Sequence, residues 1–211
     1  MSVSPQSRSR RRWLLWFSAL ACLGAAISWL LLRAPRSTAL PEVPRGQLTL
    51  REGQLYPTGS SVPFTGVVTE SYPNGTPKSR SVVSNGLLEG LSAGWHTNGQ
   101  QQIAEHFHAG VSHGARTKWY PAGQKLSEVM VVQGKLDGVF RRWHTNGVLA
   151  EEIPMKQGEP DGLSRAFYPS GCLQAEARLQ AGKVLERNHW NDGERPAATV
   201  AQAARPPAAA Q

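Results

Sequence analysis

Three patterns in the sequence predict an all-β chain, built as one elongated single-layer antiparallel sheet of tandem 24-residue β-hairpin repeats and preceded by one N-terminal transmembrane helix. The first is the pentapeptide WHTNG, which stands at 95–99 and again at 143–147. Halfway between and to either side stand SYPNG at 71–75, WYPAG at 119–123 and FYPSG at 167–171, so the step is 24 residues. The second is a three-glycine grid on that step: Gly66, Gly90, Gly114, Gly138, Gly162; Gly75, Gly99, Gly123, Gly147, Gly171; and Gly86, Gly110, Gly134, Gly158, Gly182. Self-similarity at this period marks a repeat architecture. The third is an uncharged run at 13–32, WLLWFSALACLGAAISWLLL.

That run comes first in the chain. As a helix it would be roughly 30 Å long, about the thickness of a bilayer's hydrocarbon core. Trp13, Trp16 and Trp29 lie toward its ends, where indole rings favour the interface. Arg8, Arg10, Arg11 and Arg12 precede it, while Arg33 and Arg36 follow. The denser positive flank puts residues 1–12 in the cytoplasm as a basic segment, with the repeats outside the membrane, periplasmic or at the cell surface. A cleaved signal peptide, with STA at 37–39 as its site, is the competing reading, and ALAC at 19–22 faintly suggests lipidation. Both main readings export the repeats. Residues 33–53 read as a linker and 196–211, PAATVAQAARPPAAAQ, as a disordered Ala/Pro tail.

The formal charge is +8, but residues 1–45 hold seven Arg against one Glu, and 46–195 hold fifteen basic against fourteen acidic residues. The basicity belongs to the N-terminus and gives the repeats no nucleic-acid footprint. Cys22 and Cys172 form no disulfide framework.

Within 54–195, each unit divides at two turn clusters into two runs of six to eight residues, which reads as a β-hairpin. Asn-Gly suits a two-residue type I′ turn. With Asn146-Gly147 and Ser170-Gly171 as the loops, Arg141 faces Glu152 and Arg165 faces Glu176. In register, Trp95, Trp119, Trp143 and Phe167 share one slot, and Tyr72, His96, Tyr120, His144 and Tyr168 the next. Val83, Phe107, Val131, Met155 and Leu179 share a slot read as buried. Five regular units, 66–185, make about ten strands, roughly 50 Å of sheet. Degenerate caps flank them at 54–66 and 186–196, as repeat arrays require.

The aromatic pair, the turn Asn-Gly, the following Glu and the glycine grid resemble MORN-type repeats, and more closely the bacterial variant in proteins labelled YwqK-family antitoxins. VPFTGVVTESYPNG at 62–75 is similar to the usual start of such arrays. His96 and His144 depart from the pattern's Tyr, and Ser71 from its aromatic. The resemblance implies an extended antiparallel sheet used for binding.

No catalytic, cofactor or metal site is expected. His106, His108 and His113 carry zinc-type spacing, yet they fall in three slots, with Phe107 between the first two in the buried slot. His96 and His144 sit two units apart, too far to share a ligand. Glu128, Glu152 and Glu176 form a row that reads as a solvated face paired with Arg. Trp95, Trp119, Trp143 and Phe167 are the candidate partner-binding strip, since Trp is enriched at binding hot spots; packing of the sheet is the equal alternative. The expected function is a non-catalytic, membrane-anchored scaffold for a protein partner. The alternatives are an antitoxin or immunity-type binder and a lipid- or glycan-binding module.

Overall fold

The computed structural model describes residues 39–195. The expected helix at 13–32, the basic segment 1–12 and the tail 196–211 lie outside these residues. Among the described residues no helix is long and apolar enough to cross a membrane.

Ten strands make five hairpins: β4 (Gly66–Ser71) with β5 (Pro77–Ser84), β6 (Leu87–Trp95) with β7 (Gln101–His108), β8 (Val111–Trp119) with β9 (Lys125–Val132), β10 (Lys135–Trp143) with β11 (Leu149–Lys156), and β13 (Gly162–Phe167) with β14 (Leu173–Gln180). These strands follow one another in chain order across a single sheet, closed by β15 (Lys183–His189). The pair β12 (Glu159–Pro160) splits off the start of β13 and pairs with β11. The break falls at Asp161, at the place where the ladder also shifts between β9 and β10 and between β7 and β8.

The N-terminal segment differs from the sequence expectation. Residues 42–53, assigned to the linker, carry β1 (Glu42–Pro44), a 3-10 turn (Arg45–Gln47) and β2 (Leu48–Arg51). β1 pairs in parallel with β4, whereas β2 forms a separate hairpin with β3 (Gln54–Pro57). The proline-rich composition hid the reason: Leu48, Leu55, Phe64, Val68 and Val83 form a buried cluster, so this hairpin supplies the apolar cover that the first unit lacks. A second cluster, Phe167 and Leu173 with Leu149 and Trp190 packed against it, closes the other end.

Turn chemistry also differs from expectation in its placement. At Tyr72, His96, Tyr120, His144 and Tyr168 the carbonyl accepts from the N–H of the glycine three residues on, for example Gly147 N to His144 O at 2.9 Å. His144 N then donates to Val148 O, and only Gly147 has positive φ, +83°. That is a three-residue loop with a G1-type bulge, not a type I′ turn. The Arg141–Glu152 and Arg165–Glu176 registers nevertheless occur as expected, because a second irregularity falls between Arg142 and Trp143, and between Ala166 and Phe167. The type I′ turns lie at the other glycines, where both central residues have positive φ: Asn85-Gly86, Ala109-Gly110, Gln133-Gly134, Gln157-Gly158 and Ala181-Gly182.

Cross-strand partners share a face, and one row crosses the whole sheet: Arg80, Ala93, Ala104, Thr117, Glu128, Arg141, Glu152, Arg165, Glu176. Its second half is an alternating ion ladder, with Arg141 3.6 Å from Glu128 and 2.9 Å from Glu152, and Arg165 3.1 Å from Glu176. Half-exposed pairs of this kind contribute little each but fix register. The opposite face carries the buried slot, where Val83 and Val131 are fully buried and Phe107, Met155 and Leu179 half-buried.

Candidate functional site

The aromatic slots meet at every unit boundary, and the contact is not one that residue types alone reveal. Tyr72 Oη donates to Trp95 O at 2.8 Å, and Tyr120 Oη to Trp143 O at 2.8 Å. His96 Nε2 lies 3.0 Å from Trp119 O, and His144 Nε2 2.8 Å from Phe167 O. Tyr168 Oη repeats the bond to Trp190 O at 3.2 Å. A carbonyl only accepts, so both imidazoles carry their proton on Nε2. His therefore replaces Tyr because either ring holds a donor at the same reach. The donors stand 24 residues apart.

The 48-residue recurrence of WHTNG has its own cause. Asn98 Nδ2 donates to Pro121 O at 2.7 Å, and Asn146 Nδ2 to Pro169 O at 2.8 Å. Each WHTNG turn thus clasps a following turn with proline in place of Thr. Asn98 Oδ1 and Asn146 Oδ1 also accept from Gln100 N and Val148 N, both at 3.1 Å. One amide closes its own loop and grips the next.

A Tyr120→Phe substitution removes one such boundary bond while keeping the ring. It is expected to cost about 1 kcal/mol in equilibrium urea unfolding, and Tyr120→His less than half of that, since the imidazole restores the donor.

The second boundary contact was missed at the sequence level. The residue before each grid glycine, Thr65, Glu89, His113, Asp137 or Asp161, accepts from the first residue of the next type I′ turn. Examples are Ala109 N to Glu89 Oε2 at 2.8 Å, Asn85 N to Thr65 Oγ1 at 2.9 Å and Gln157 N to Asp137 Oδ2 at 3.2 Å. The signal was present as a polar side chain on a 24-residue step. Glycine N–H groups of the same turns donate to the preceding unit, as Gly134 N does to Ser112 O at 2.8 Å.

Glu89 also meets His108 Nδ1 at 2.9 Å. The Ala109 N–H, and after it His108, hold the Glu89 carboxyl below its ordinary range. A lowered folded-state pKa means that its contribution is present above the ordinary carboxylate range and lost as pH falls through the lowered value. Amide exchange at Ala109, corrected for intrinsic rate, is accordingly expected to speed up on acidification below that range, and to be fast at neutral pH in Glu89→Ala, which removes the acceptor.

The candidate strip is placed as follows. Trp95, Trp119 and Trp143 are half-buried, whereas Phe167 is buried in the C-terminal cluster. Lys125 Nζ sits 5.1 Å from the Trp143 ring centroid. Beside Trp119 lies a groove of about 360 Å³ lined by His96, Gln102, Ile103, Lys118, Tyr120, Pro121 and Leu126 as well. It combines apolar walls with an amine and an amide. The zinc-type histidines diverge: His106 Nδ1 lies 3.3 Å from Ala115 O, His108 pairs with Glu89, and His113 Nδ1 faces Gln133 N at 3.4 Å. Among the described residues no three His, Cys, Asp or Glu gather as a metal site. Cys172 is a free, half-buried thiol.

No curated protein matches the chain. Among solved structures, a TarM mutant from S. aureus in complex with fondaparinux, alpha-GlcNAc-glycerol and UDP is similar over 46% of this chain and 19% of that one, at 11% identity and a TM-score of 0.31. The chain spans about a fifth of that structure's length, and a likeness so slight carries no argument. Residues 136–157, which take in most of β10, its turn and all of β11, match the family model described as the MORN repeat variant. That match is to one of the five hairpin units, the one formed by β10 and β11.

Proposed function

We propose that the chain is a non-catalytic binding scaffold: a membrane-anchored, exported array of 24-residue hairpin units that holds a protein partner along the Trp95, Trp119, Trp143 and Phe167 row. The observation that carries this reading is how the unit boundaries are closed. Backbone carbonyls and turn amides do the closing, so the three indoles stay half-exposed at a regular step beside the Trp119 groove. Phe167 contributes by bracing the last turn. The uncharged run at 13–32 with its arginine flanks supports the anchor and the export of the repeats. The Glu row supports a non-catalytic reading, because Glu128, Glu152 and Glu176 are each engaged by Arg.

Photo-crosslinking amino acids at the exposed Thr97 and Thr145, in native membranes, test this. One protein captured from both positions, and lost with Trp119→Leu while circular dichroism is unchanged, is the expected result. Capture indifferent to Trp119→Leu, or turnover of any substrate by the chain, would remove the reading. Capture of a toxin would move it to the antitoxin class of the YwqK-type proteins. Co-sedimentation with protein-free liposomes would move it to the lipid-binding class.

A further inference from the structure

The face of the sheet that bears the Arg–Glu ladder also bears an apolar seam. Met130, Val139 and Leu163 are 49%, 37% and 36% exposed. Each lies two residues from a ladder position, Glu128, Arg141 or Arg165, and so points to the same side. Pro154 joins them, facing Val139 across the β10–β11 pair. From β9 to β13 the seam therefore reads Met130, Val139, Pro154, Leu163, one residue per strand. Exposed apolar ground that is contiguous and bordered by charge marks an interaction surface.

The border has two flanks. One is the ladder. The other begins with Asp137, which faces Met130 across the β9–β10 pair. Lys156 stands two residues beyond Pro154, and Asp161 repeats Asp137 one unit on. Each central strand thus presents opposite charges four residues apart, one on either side of the seam: Arg141 and Asp137, Glu152 and Lys156, Arg165 and Asp161. At β9 the flanks are Glu128 and Val132, and at β14 Glu176 and Gln180.

We infer that this face binds a second copy of the chain, face to face, about a two-fold axis that runs along the seam. Such an axis lays each strand antiparallel over itself and sets the ladder of one copy over the opposite flank of the other. Met130, Val139 and Leu163 each meet their own counterpart. Arg141 meets Asp137 of the copy, Glu152 meets its Lys156 and Arg165 meets its Asp161, and each pair occurs twice. The seam forms an apolar core and the pairs form its rim. From β9 to β13 no like charges are opposed. A slip of one strand would set Arg141 against Lys156 and Glu152 against Asp161, like against like, so the charges fix the alignment. His106 and Arg178 lie on the seam line toward its two ends. Aligned sheets stack roughly 10 Å apart and cross at about 30°, which carries these two residues away from their counterparts. The inference uses neither the Trp row nor the anchor, and its test stands apart from theirs.

Sedimentation of the full-length chain in detergent tests it, and the expected result is a dimer. Lys156 is exposed. Lys156→Glu opposes Glu152 of the copy and is expected to weaken the dimer at least about tenfold, 1.4 kcal/mol. Val139→Asp sets two carboxylates together on the seam and is expected to abolish it, with circular dichroism unchanged in both variants. Lys118→Glu makes the same charge change on the other face, where Lys118 lies opposite Ile103, and is expected to leave the dimer intact. Met130→Cys and Leu163→Cys, each combined with Cys22→Ala and Cys172→Ala, are each expected to cross-link to their own kind through a short bismaleimide. A monomer would overturn the inference, and is the outcome if residues 1–38 or 196–211 cover the face in the full chain. So would a dimer indifferent to Lys156→Glu and Val139→Asp, or one broken by Lys118→Glu. Cross-linking found only between a Met130→Cys chain and a Leu163→Cys chain would place the axis along the strands and overturn it as well.

Discussion

Gly86→Ala is expected to destabilise the chain by about 3 kcal/mol in urea unfolding, with the loss concentrated at the N-terminal end. Gly86 has φ +80°, where an L side chain is strained. A Cβ added there would stand 2.8 Å from Gln54 Cβ and 3.1 Å from both Leu55 N and Leu55 O. The backbone atoms cannot move aside cheaply, because Gly86 O accepts from Leu55 N at 2.9 Å and Gly86 N donates to Phe64 O at 2.7 Å. The substitution therefore pushes the β2–β3 hairpin off the cluster of Leu48, Leu55, Phe64, Val68 and Val83. Gly99→Ala is the matched control: φ is +83°, yet nothing lies within 4 Å of the added carbon. It should cost about 1–2 kcal/mol, from backbone strain alone. Equal losses at the two glycines would mean that the cap hairpin does not seat on Gly86.

Leu173→Ala should cost about 2–4 kcal/mol, most of it in the last unit. Leu173 is 1% exposed and forms a cluster with Phe167, with Leu149 and Trp190 packed against it. A one-layer sheet has few such places. Among the described residues only Leu173, Val83 and Val131 are fully buried large side chains. In an array where each unit contacts its neighbours, the cavity's cost should stay local. Amide exchange is expected to quicken in β13, β14 and β15 and to hold steady in β5 to β8. A uniform acceleration would point to one cooperative body instead of coupled units.

The hairpins and the Arg–Glu register were legible because they follow from a two-residue side-chain period and a fixed glycine step. The period counts residues, and the ladder Glu128, Arg141, Glu152, Arg165, Glu176 falls out of it. What the turns do was less legible. Asn-Gly favours type I′ in isolation, yet in WHTNG the Asn side chain is used to bond Val148 N and Pro169 O, which holds Asn146 out of the left-handed region. Left-handed φ is carried instead by Ala109, Gln133, Gln157 and Ala181, residues without that propensity. Four side chains of the preceding units, Glu89, His113, Asp137 and Asp161, accept their N–H groups, a tertiary effect no local signal reports. The cap hairpin was hidden for a similar reason: Leu48 is buried by Phe64 and Val83, which lie far along the chain. At the candidate site the slots were legible, but the role of the second ring was not. Tyr and His look unlike as packing groups and alike only as donors to the next unit's carbonyl.

Cross-strand nuclear Overhauser contacts across the four equivalent boundaries offer a decisive check on the single continuous sheet. In the isotopically labelled full chain, backbone contacts should join Arg80 with Ala93, Ala104 with Thr117, Glu128 with Arg141, and Glu152 with Arg165. All four are expected together, in the same register, because each boundary is closed by the same bonds. Helical sequential contacts in their place, or boundaries paired one residue out of step, would contradict the account.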